Sequence, residues 1–418
     1  MTLPADLTLH GPHALRGTIR VPGDKGISHR ALLAAALATG TSTLEGLTDG
    51  DDVARTAAAL TALGVPVTPR DTGTVTVTGG GVDTLREADD VLDCANSGTT
   101  IRMLCGLLAG RPFLSVLTGD ASLRRRPMER VAAPLRAMGA HVDGRDDARY
   151  PPLVVRGGAL AGIRAALPVA SAQVKTALVL AGLQAAGTTE ITEPAPSRDH
   201  TERMLAALGA PVTRYGTTVR VEGGAPRPFE LDVPGDPSAA AFFVVAAVIT
   251  PGSELTVEGV ALNPTRLGFV EVLRRMGADV EVHEREERLG EPVGDLVARA
   301  APLTGTVVAG AEIPNVQDEV PALAVAAAFA EGITEFCDVA ELRVKESDRV
   351  ATVAAELGAL GVGVEAGPDR LVVRGGRPGP VVWDSHGDHR VAMAGAVAAN
   401  AAEGTSTVRG WPAVASSY

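Results

Sequence analysis

An internal repeat constrains this chain more than any other feature of its sequence. Along the 418 residues, an Ala-rich helical run that ends in glycine and is followed by a β-like stretch recurs six times. The glycines, with spacings of 70, 77, 65, 80 and 72 residues, are Gly40, Gly110, Gly187, Gly252, Gly332 and Gly404. We expect each at the C′ position, where a left-handed residue ends a helix, and the alternating residues after it predict a strand.

A second signature lies between these copies and completes the repeat. It is an apolar helix that ends in Leu-Gly or Met-Gly, followed by a strand, a turn and another strand, as in LTALGVPVTPRDTGTVTVTGG. The two signatures together predict that each unit contains a helix, a strand, a helix and two strands. Six such units account for the chain, with three in each half. The repeat alone also fits a structural solenoid without an active site.

A Val-Pro-Gly-Asp tetrapeptide occurs twice, at residues 21–24 and 233–236. Proline restricts φ and glycine relaxes it, so the two copies are suited to form paired connections between domains. We predict a C-terminal lobe of residues 1–22 plus 235–418 and an N-terminal lobe of residues 23–234. Substrates are expected in the cleft between the lobes.

Composition excludes several classes of partner. The net charge is −12, the pI is about 5.2 and aromatic residues make up 3%, which argues against nucleic acid and anionic membranes. The cysteines, Cys94, Cys105 and Cys337, lack the spacing of a metal site, and the first residues lack a signal peptide. We therefore expect a cytoplasmic, monomeric protein that acts on small molecules.

Lysine is scarce, since Lys25, Lys175 and Lys345 are the only lysines among 38 basic residues. All three occur where a polar loop meets a predicted helix, beside another cation or groups that bind anions. Helix N-termini favour anions, and lysine is a compact charge whose pKa can be tuned. The pattern predicts phosphate contact or proton chemistry and a cationic cleft that includes Lys175. Each window alone also fits a solvated or capping turn.

Several polar motifs precede predicted helices. They are PGDKGISHR before a helix at 31–37, NSGTTIR before 103–108, ASAQVK before 176–183 and GDHR before 391–400. In a further motif, RVKESDR, Lys345 and Arg349 are four residues apart. We expect these two to share a helix face, where an anion or a carboxylate offsets their repulsion.

Taken together, the motifs resemble one family. PGDKGISHR, NSGTTIR, RRRP, ASAQVK, SRDHTE, IPNVQDE, RVKESDR and GDHRVAM cover essentially the full length in the order found in 5-enolpyruvylshikimate-3-phosphate (EPSP) synthases. The resemblance implies a two-lobed inside-out α/β barrel of six ββαβ-type units. It implies transfer of the enolpyruvyl group of phosphoenolpyruvate to the 5-hydroxyl of shikimate 3-phosphate, with release of phosphate and without a metal or organic cofactor.

The resemblance also implies roles for individual residues. Asp318 would be the base and anchor for the 5-hydroxyl, Glu346 the proton donor to C3 and acceptor from it, and Lys25 the group at the leaving phosphate, supported by His389. The implied contacts to shikimate 3-phosphate are Lys25, Gly26, Arg30, Ser171, Ala172, Gln173, Arg198, Asp318 and Lys345. The implied contacts to phosphoenolpyruvate are Lys25, Gly98, Arg126, Gln173, Arg349 and Arg390.

Two glycines bear on specificity. Gly26 stands where serine is common in the family, so one hydroxyl contact to shikimate 3-phosphate is missing. Gly98 stands where alanine excludes glyphosate in some members, so we expect inhibition by glyphosate in competition with phosphoenolpyruvate. The alternatives are an enolpyruvyl transferase acting on UDP-N-acetylglucosamine and a non-catalytic binding homologue. The first usually has a cysteine in the loop corresponding to residues 119–127, which contain none here.

Overall fold

The computed structural model describes residues 3–71 and 73–417, and the chain divides into two compact units. The C-terminal unit comprises Met1–Pro22, Pro234–Glu286 and Pro292–Tyr418, and the N-terminal unit comprises Gly23–Val233 and Glu287–Glu291. We had expected the last of these segments in the C-terminal lobe. It belongs to the N-terminal unit because Nδ1 of His200 lies 2.7 Å from Oε1 of Glu291, among other contacts.

The secondary structure follows the repeat along the chain. In chain order the strands are β1 (Asp6–Gly11), β2 (Arg16–Arg20), β3 (Thr39–Glu45), β4 (Val67–Asp71), β5 (Thr74–Gly80), β6 (Leu92–Asp93), β7 (Leu114–Thr118), β8 (His141–Gly144), β9 (Tyr150–Arg156), β10 (Arg164–Ala166), β11 (Thr188–Thr192), β12 (Val212–Tyr215), β13 (Thr218–Glu222), β14 (Glu230–Asp232), β15 (Glu254–Ala261), β16 (Asp279–Arg288), β17 (Glu291–Arg299), β18 (Val307–Val308), β19 (Ile333–Cys337), β20 (Gly363–Gly367), β21 (Arg370–Arg374), β22 (Val382–Asp384) and β23 (Gly404–Arg409). The helices are α1 (Lys25–Leu37), α2 (Asp51–Ala62), α3 (Gly98–Leu108), α4 (Glu129–Ala137), the left-handed turn α5 (Arg145–Ala148), α6 (Ala172–Gly182), α7 (His200–Ala207), α8 (Pro237–Ile249), α9 (Gly268–Arg275), α10 (Ile313–Val316), α11 (Val320–Ala328), α12 (Arg349–Ala359) and α13 (His389–Ala401).

Within the described residues each unit contains three sheets built on one plan. The strand orders are β14-β3-β5-β4, β6-β7-β9-β8 and β10-β11-β13-β12 in the N-terminal unit, and β2-β15-β17-β16, β18-β19-β21-β20 and β22-β23-β1 in the C-terminal unit. In each sheet the first two strands are parallel and the third is antiparallel to the second. The six repeats and the two-lobed α/β fold are therefore confirmed. Each repeat also has a first strand that the predicted order of helix, strand, helix, strand and strand does not include.

Two sheets take their first strand from a distant part of the chain. Strand β2 pairs with β15, with Arg16 opposite Glu254, and β14 pairs with β3, with Glu230 opposite Thr43. The strand before each Val-Pro-Gly-Asp segment thus stays with the unit that the chain is leaving. The last repeat differs from the others because β1, from the start of the chain, takes the third place in its sheet.

The polar motifs form the first turns of helices, so the predicted helix starts were too late. Helix α1 begins at Lys25 and not at residue 31, and α3 begins at Gly98 and not at residue 103. Capping explains the difference: Asp24 accepts a 2.7 Å hydrogen bond from the backbone N–H of Ile27 and thereby starts the helix inside the polar motif. The same role is played by Ser97, Ser171, Asp348 and Asp388.

The predicted left-handed C′ role is wrong for the repeat glycines. Gly110 follows the C-cap Ala109 of α3 but has no positive φ, and the other five lie beyond the C′ position, as Gly40 lies three residues after the end of α1. Glycines of the second signature hold these positions instead. Gly64 has a φ of 87°, its N–H bonds to the carbonyl of Thr61 and that of Val65 bonds to the carbonyl of Leu60, which is a Schellman motif. The same pair of bonds occurs at Gly139, Gly209, Gly277 and Gly361.

Small side chains allow the buried helices to pack closely. Helices α8, α11 and α13 are buried over most of their length, and α13 packs against both others. In the N-terminal unit α3 packs on α6, where a β carbon at Gly106 would lie 2.1 Å from the backbone oxygen of Ala177. Only glycine permits this approach. None of the helices in the described residues is both long and apolar enough to cross a membrane.

Candidate active site

Lys25 is the first residue of α1 and contacts the first turn of α2. Its Nζ lies 2.9 Å from Oδ2 of Asp52, and its side chain is 16% exposed. The ammonium group is therefore fixed beside the partial positive charge of a helix N-terminus. Such a combination favours the binding of an anion.

Arg30 lies one turn further along α1 and is buried. Its Nε and one terminal nitrogen donate to the hydroxyls of Thr201 (2.6 Å) and Thr176 (2.9 Å), and the other donates to the carbonyl of Gly26 (2.8 Å). Burial lowers the pKa of Arg30 to about 10, although nearby carboxylates, first that of Glu202, raise it. A β carbon at Gly26 would lie only 3.3 Å from this guanidinium, so a serine there would crowd Arg30.

Gln173 is oriented by contacts at both ends of its amide. Its Oε1 accepts a 2.6 Å hydrogen bond from Arg102, and its Nε2 donates to the hydroxyl of Thr99 over 2.9 Å. Arg102 also donates to the carbonyls of Gly98 and Pro127, both over 3.3 Å. The motif residues of α3 and α6 are thereby joined into one surface.

Gly98, the first residue of α3, leaves space for two guanidinium groups. A β carbon there would lie 2.8 Å from a terminal nitrogen of Arg102 and 3.1 Å from one of Arg126. Arg126 is itself held by Asn96, whose Oδ1 accepts a 2.6 Å hydrogen bond from it. The predicted neighbourhood of Gly98 and Arg126 is thus present in the structure.

A buried chain of hydrogen bonds that we did not predict links α1 to α3. Nδ1 of His29 lies 2.7 Å from the hydroxyl of Thr56, which lies 2.8 Å from that of Thr100, and Thr100 donates to Oγ of Ser97 over 2.7 Å. Burial and the charges of neighbouring cations, first that of Lys25, hold the pKa of His29 well below its usual value. His29 is therefore neutral at physiological pH.

The loops before α6 and α7 supply the remaining predicted contacts of this unit. Ser171 caps α6, Ala172 is its first residue, and both are half-buried. Arg198 is also half-buried, and its charge contributes to the lowered pKa of Arg30. The structure therefore brings Arg198 close to Arg30.

Lys175 does not belong to an anion-binding surface, so its predicted place in a cationic cleft is wrong. Its side chain is 2% exposed, and its Nζ lies 2.7 Å from Oε2 of Glu193 and 2.8 Å from Oε1 of Glu202. Two buried carboxylates neutralise the ammonium group. Lys175 is the last residue of the ASAQVK motif, but its charge serves an internal ion pair.

The second group of predicted residues lies in the C-terminal unit and is organised by Arg349. This guanidinium is 2% exposed and donates to Oδ2 of Asp388 over 2.8 Å, Oε2 of Glu346 over 2.6 Å and Oδ1 of Asp318 over 3.2 Å. Burial by itself lowers the pKa of Arg349, but the three carboxylates together raise it above its ordinary value. Arg349 thus remains charged and holds both predicted catalytic carboxylates.

Two further cations surround Asp318. Nζ of Lys345 lies 3.9 Å from its Oδ1, a terminal nitrogen of Arg390 lies 3.7 Å from its Oδ2, and Arg390 also donates to its backbone carbonyl over 3.1 Å. Burial lowers the pKa of Lys345, and the charge of Asp318 opposes this effect only in part. Asp318 is therefore the carboxylate that offsets the repulsion between Lys345 and Arg349.

Lys345 and Arg349 do not share a helix face as predicted. Lys345 follows the 3₁₀ turn Ala340–Val344, whereas α12 begins at Arg349 and is capped by Asp348. The backbone is not helical between the two cations, because the cap residue Asp348 has a ψ of 85°, outside the helical range. Their convergence on one carboxylate is a tertiary arrangement.

His389 is the first residue of α13 and adjoins this cluster. Nδ1 of its buried ring lies 3.9 Å from Oδ1 of Asp388. The same Oδ1 accepts a 2.9 Å hydrogen bond from the backbone N–H of Arg390 and thereby caps the helix. Asp388 thus links His389, Arg390 and Arg349.

Four supporting side chains were not predicted: Asp52, Arg102, Glu193 and Asp388. Arg102 and Asp388 lie inside the NSGTTIR and GDHR motifs, and their charge at a helix start is a signal that could have identified them. Asp52 and Glu193 lie outside every motif, so only the folded chain reveals their contacts. In residues 3–71 and 73–417, no group of three or more His, Cys, Asp or Glu side chains could hold a metal ion. A reaction without metal or cofactor stays a prediction.

Comparisons with known proteins find one family whose members are similar to this chain over nearly its full length. The EPSP synthase (3-phosphoshikimate 1-carboxyvinyltransferase) family profile matches residues 9–418. A 3-phosphoshikimate 1-carboxyvinyltransferase of Desulforudis audaxviator is 52% identical, covering 94% of this chain and 92% of the relative, and that of Pelotomaculum thermopropionicum is 53% identical, covering 99% and 96%. A solved EPSP synthase structure from Acinetobacter baumannii has 41% identity and a TM-score of 0.87, covering 98% of this chain and 95% of that chain.

Proposed function

Because the chain belongs to the EPSP synthase family, we propose that the clusters around Lys25 and Arg349 carry out the family's transfer reaction. The enolpyruvyl group of phosphoenolpyruvate passes to the 5-hydroxyl of shikimate 3-phosphate, and phosphate is released. The observation that carries the residue assignment is the position of Arg349, which binds Asp318 and Glu346 at once. Two carboxylates fixed among cations suit a reaction that moves two protons on anionic substrates.

In the addition step, the 5-hydroxyl oxygen forms a bond to C2 of phosphoenolpyruvate. Asp318 accepts the hydroxyl proton. Glu346, which enters this step in its protonated form, donates its proton to C3, which becomes a methyl group. The product of this step is a tetrahedral intermediate that still carries the phosphate. His389, beside the Arg349–Asp388 pair, supports this cluster.

In the elimination step, Glu346 takes a proton back from C3 and the C2–C3 double bond forms again. The bond between C2 and the phosphate oxygen breaks, and Lys25 stabilises or protonates the departing phosphate. Lys25 suits this role because an ammonium at a helix N-terminus combines a mobile proton with a site for anions.

The remaining cations and polar groups bind the two substrates. We assign shikimate 3-phosphate to Lys25, Gly26, Arg30, Ser171, Ala172, Gln173, Arg198, Asp318 and Lys345. We assign phosphoenolpyruvate to Lys25, Gly98, Arg126, Gln173, Arg349 and Arg390. Guanidinium groups that are already positioned by protein contacts, as Arg126 is by Asn96, lose little freedom when they bind phosphate or carboxylate.

Incubation of the purified protein with both substrates, followed by measurement of phosphate, tests the proposal. We expect phosphate and enolpyruvyl product in equal amounts, and none when either substrate is omitted. Phosphate release with UDP-N-acetylglucosamine but not with shikimate 3-phosphate would support the alternative transferase. Release with neither acceptor would support a non-catalytic homologue. The names of the relatives favour shikimate 3-phosphate.

The expected location and assembly are also proposals. We propose a monomeric, cytoplasmic enzyme that has no nucleic-acid or membrane partner, in keeping with the net charge of −12. Sedimentation equilibrium measures the oligomeric state, and a stable dimer at micromolar concentration would contradict the proposed monomer.

A further inference from the structure

A buried carboxylate outside the predicted site joins two separate segments of the N-terminal unit. Glu193 directly follows β11 and is 4% exposed. Its Oε1 accepts hydrogen bonds from the backbone N–H of Ser171 (3.0 Å) and the hydroxyl of Ser197 (2.7 Å). Ser171 caps α6, whereas Ser197 lies in the loop before α7, so one carboxylate bonds to both helix entrances.

Nearby cations compensate for the negative charge of this buried carboxylate. Oε2 of Glu193 lies 2.7 Å from Nζ of Lys175, which is also 2.8 Å from Oε1 of Glu202. The remaining negative charge is offset by Arg30, whose pKa the carboxylate of Glu202 raises against the effect of burial. A buried ion network of this kind costs desolvation free energy and is weak evidence for stability alone.

We propose that Glu193, neutralised by Lys175, is a positioning residue that sets the distance between Ser171–Gln173 and Arg198. These two segments carry contacts assigned to shikimate 3-phosphate, so the inference rests on the proposed function. Glu193 does not touch the substrate. It acts through the backbone of Ser171 and through Ser197, the neighbour of Arg198.

Glu193→Asp tests position without removing charge. The shorter side chain keeps the negative charge beside Lys175 but withdraws the carboxylate from Ser171 and Ser197. We expect the KM for shikimate 3-phosphate to rise about tenfold, as loss of a charge-assisted hydrogen bond predicts. The KM for phosphoenolpyruvate and kcat should stay within about threefold, because Gln173, the segment residue assigned to both substrates, is also held by Arg102 and Thr99.

Glu202→Asp is the matched control, because it shortens the side chain by the same amount and keeps the negative charge near Lys175 and Arg30. Glu202 contacts the same lysine, but its contact to Lys175 reaches neither Ser171 nor Ser197. The control should lower the thermal midpoint at least as much as Glu193→Asp while leaving the KM for shikimate 3-phosphate within about threefold. If the network served stability alone, the KM values for both substrates would instead rise in each variant in proportion to its loss of stability.

Binding of shikimate 3-phosphate measured by calorimetry separates the possible failures. A wild-type protein that binds and turns over this substrate, combined with an unchanged KM in Glu193→Asp, overturns the positioning role alone. The positioning role is also overturned if Glu193→Asp weakens the binding of both substrates equally. A wild-type protein that neither binds nor turns over shikimate 3-phosphate overturns both this inference and the proposed function.

Discussion

Arg349 donates through Nε to Oδ2 of Asp388 over 2.8 Å, and both side chains are buried. Asp388 also caps α13 through the backbone N–H of Arg390. One carboxylate therefore fixes both the helix that begins with His389 and the guanidinium that holds the two predicted catalytic carboxylates. The pair connects the stability of the C-terminal unit with the order of its candidate site.

We expect Asp388→Asn to reduce stability at neutral pH more than in acid. Burial by itself raises the pKa of Asp388, but the charge of Arg349 holds the net pKa below its ordinary value. The carboxylate therefore stabilises the fold above the pKa of an unfolded aspartate, and this contribution is lost as pH falls through the lowered native pKa. Asparagine preserves the cap.

Thermal unfolding of wild type and Asp388→Asn at several pH values measures this effect. Loss of a hydrogen bond to a charged group, about 1.5–3 kcal/mol, should lower the midpoint by about 3–10 °C at pH 7. The difference should shrink below pH 4. Asp83→Asn is the control, because Asp83 is 92% exposed in its pair with Arg111. A difference that is independent of pH would contradict the role of the charge.

We expect Glu346→Gln to reduce kcat by about 10²–10⁴-fold, the usual contribution of a general acid–base group. Glutamine keeps the shape and can still accept the hydrogen bond from Arg349, so the KM values for both substrates should change little. Steady-state kinetics with each substrate varied provide the measurement. Glu365→Gln, which alters an exposed Arg-paired glutamate, serves as the control. Near-normal turnover of Glu346→Gln would exclude the proposed proton transfer.

We expect Gly98→Ala to weaken inhibition by glyphosate. The added carbon would lie 2.8 Å from a terminal nitrogen of Arg102 and 3.1 Å from one of Arg126, so one guanidinium must move. Overpacking of about 1–3 kcal/mol corresponds to an inhibition constant raised by about 5–150-fold. The KM for phosphoenolpyruvate should rise less, because the smaller ligand tolerates the shift better.

Inhibition kinetics with phosphoenolpyruvate varied measure both effects of Gly98→Ala. Gly358→Ala, in α12 with no atom within 4 Å of the added carbon, is the matched control and should leave both constants unchanged. An unaltered inhibition constant in Gly98→Ala, or a wild-type protein that is insensitive to glyphosate, would refute the assignment of Gly98.

We expect binding of shikimate 3-phosphate to weaken as the pH rises. The weakening should begin at a lower pH than it would if Lys345 had the pKa of an ordinary lysine. Burial lowers the pKa of Lys345, so its ammonium loses its charge as pH rises through that lowered value. Affinity for an anion is therefore complete below this pKa and declines above it. Lys345→Arg should move the decline to higher pH because arginine stays charged.

The KM for shikimate 3-phosphate between pH 7 and 10 tests the role of Lys345. Near pH 7 the KM should depend on pH in the same way in wild type and in Lys345→Arg. In the alkaline range the KM of the wild type should rise at a lower pH than that of Lys345→Arg. Identical profiles would show that another group controls the alkaline limb. A loss of affinity in Lys345→Arg at every pH would instead indicate that guanidinium geometry is unsuitable there.

The repeats were predictable because each one is a local pattern. Apolar periodicity and the recurrence of glycine are visible within a few residues, so three repeats in each half could be recognised directly, although the six repeat glycines do not end the helices as predicted. The starts of the helices were less predictable. We placed them by their apolar runs, whereas Asp24 and Ser97 start α1 and α3 earlier through side-chain caps.

The candidate site was predictable where residues lie inside a motif and unpredictable where partners are distant. Lys25, Gly98, Glu346 and Arg349 were predicted as site residues through their motifs, and their roles stay predictions. The partner of Lys25, Asp52, is 27 residues away, and no local pattern identifies it. Lys175 shows the reverse error, since its position at the end of the ASAQVK motif suggested an anion site although its charge is neutralised inside the protein.

The sequence by itself determined the repeat, its division into halves and the types of residue that serve the chemistry. Those properties depend on local periodicity and on side-chain type. Only the tertiary structure decided which charges pair with each other, because an ion pair forms between groups that the fold brings together from separate helices. The tertiary structure therefore distinguishes two lysines that look alike in the sequence. Lys345 lies beside Asp318, whereas the buried carboxylates of Glu193 and Glu202 neutralise Lys175.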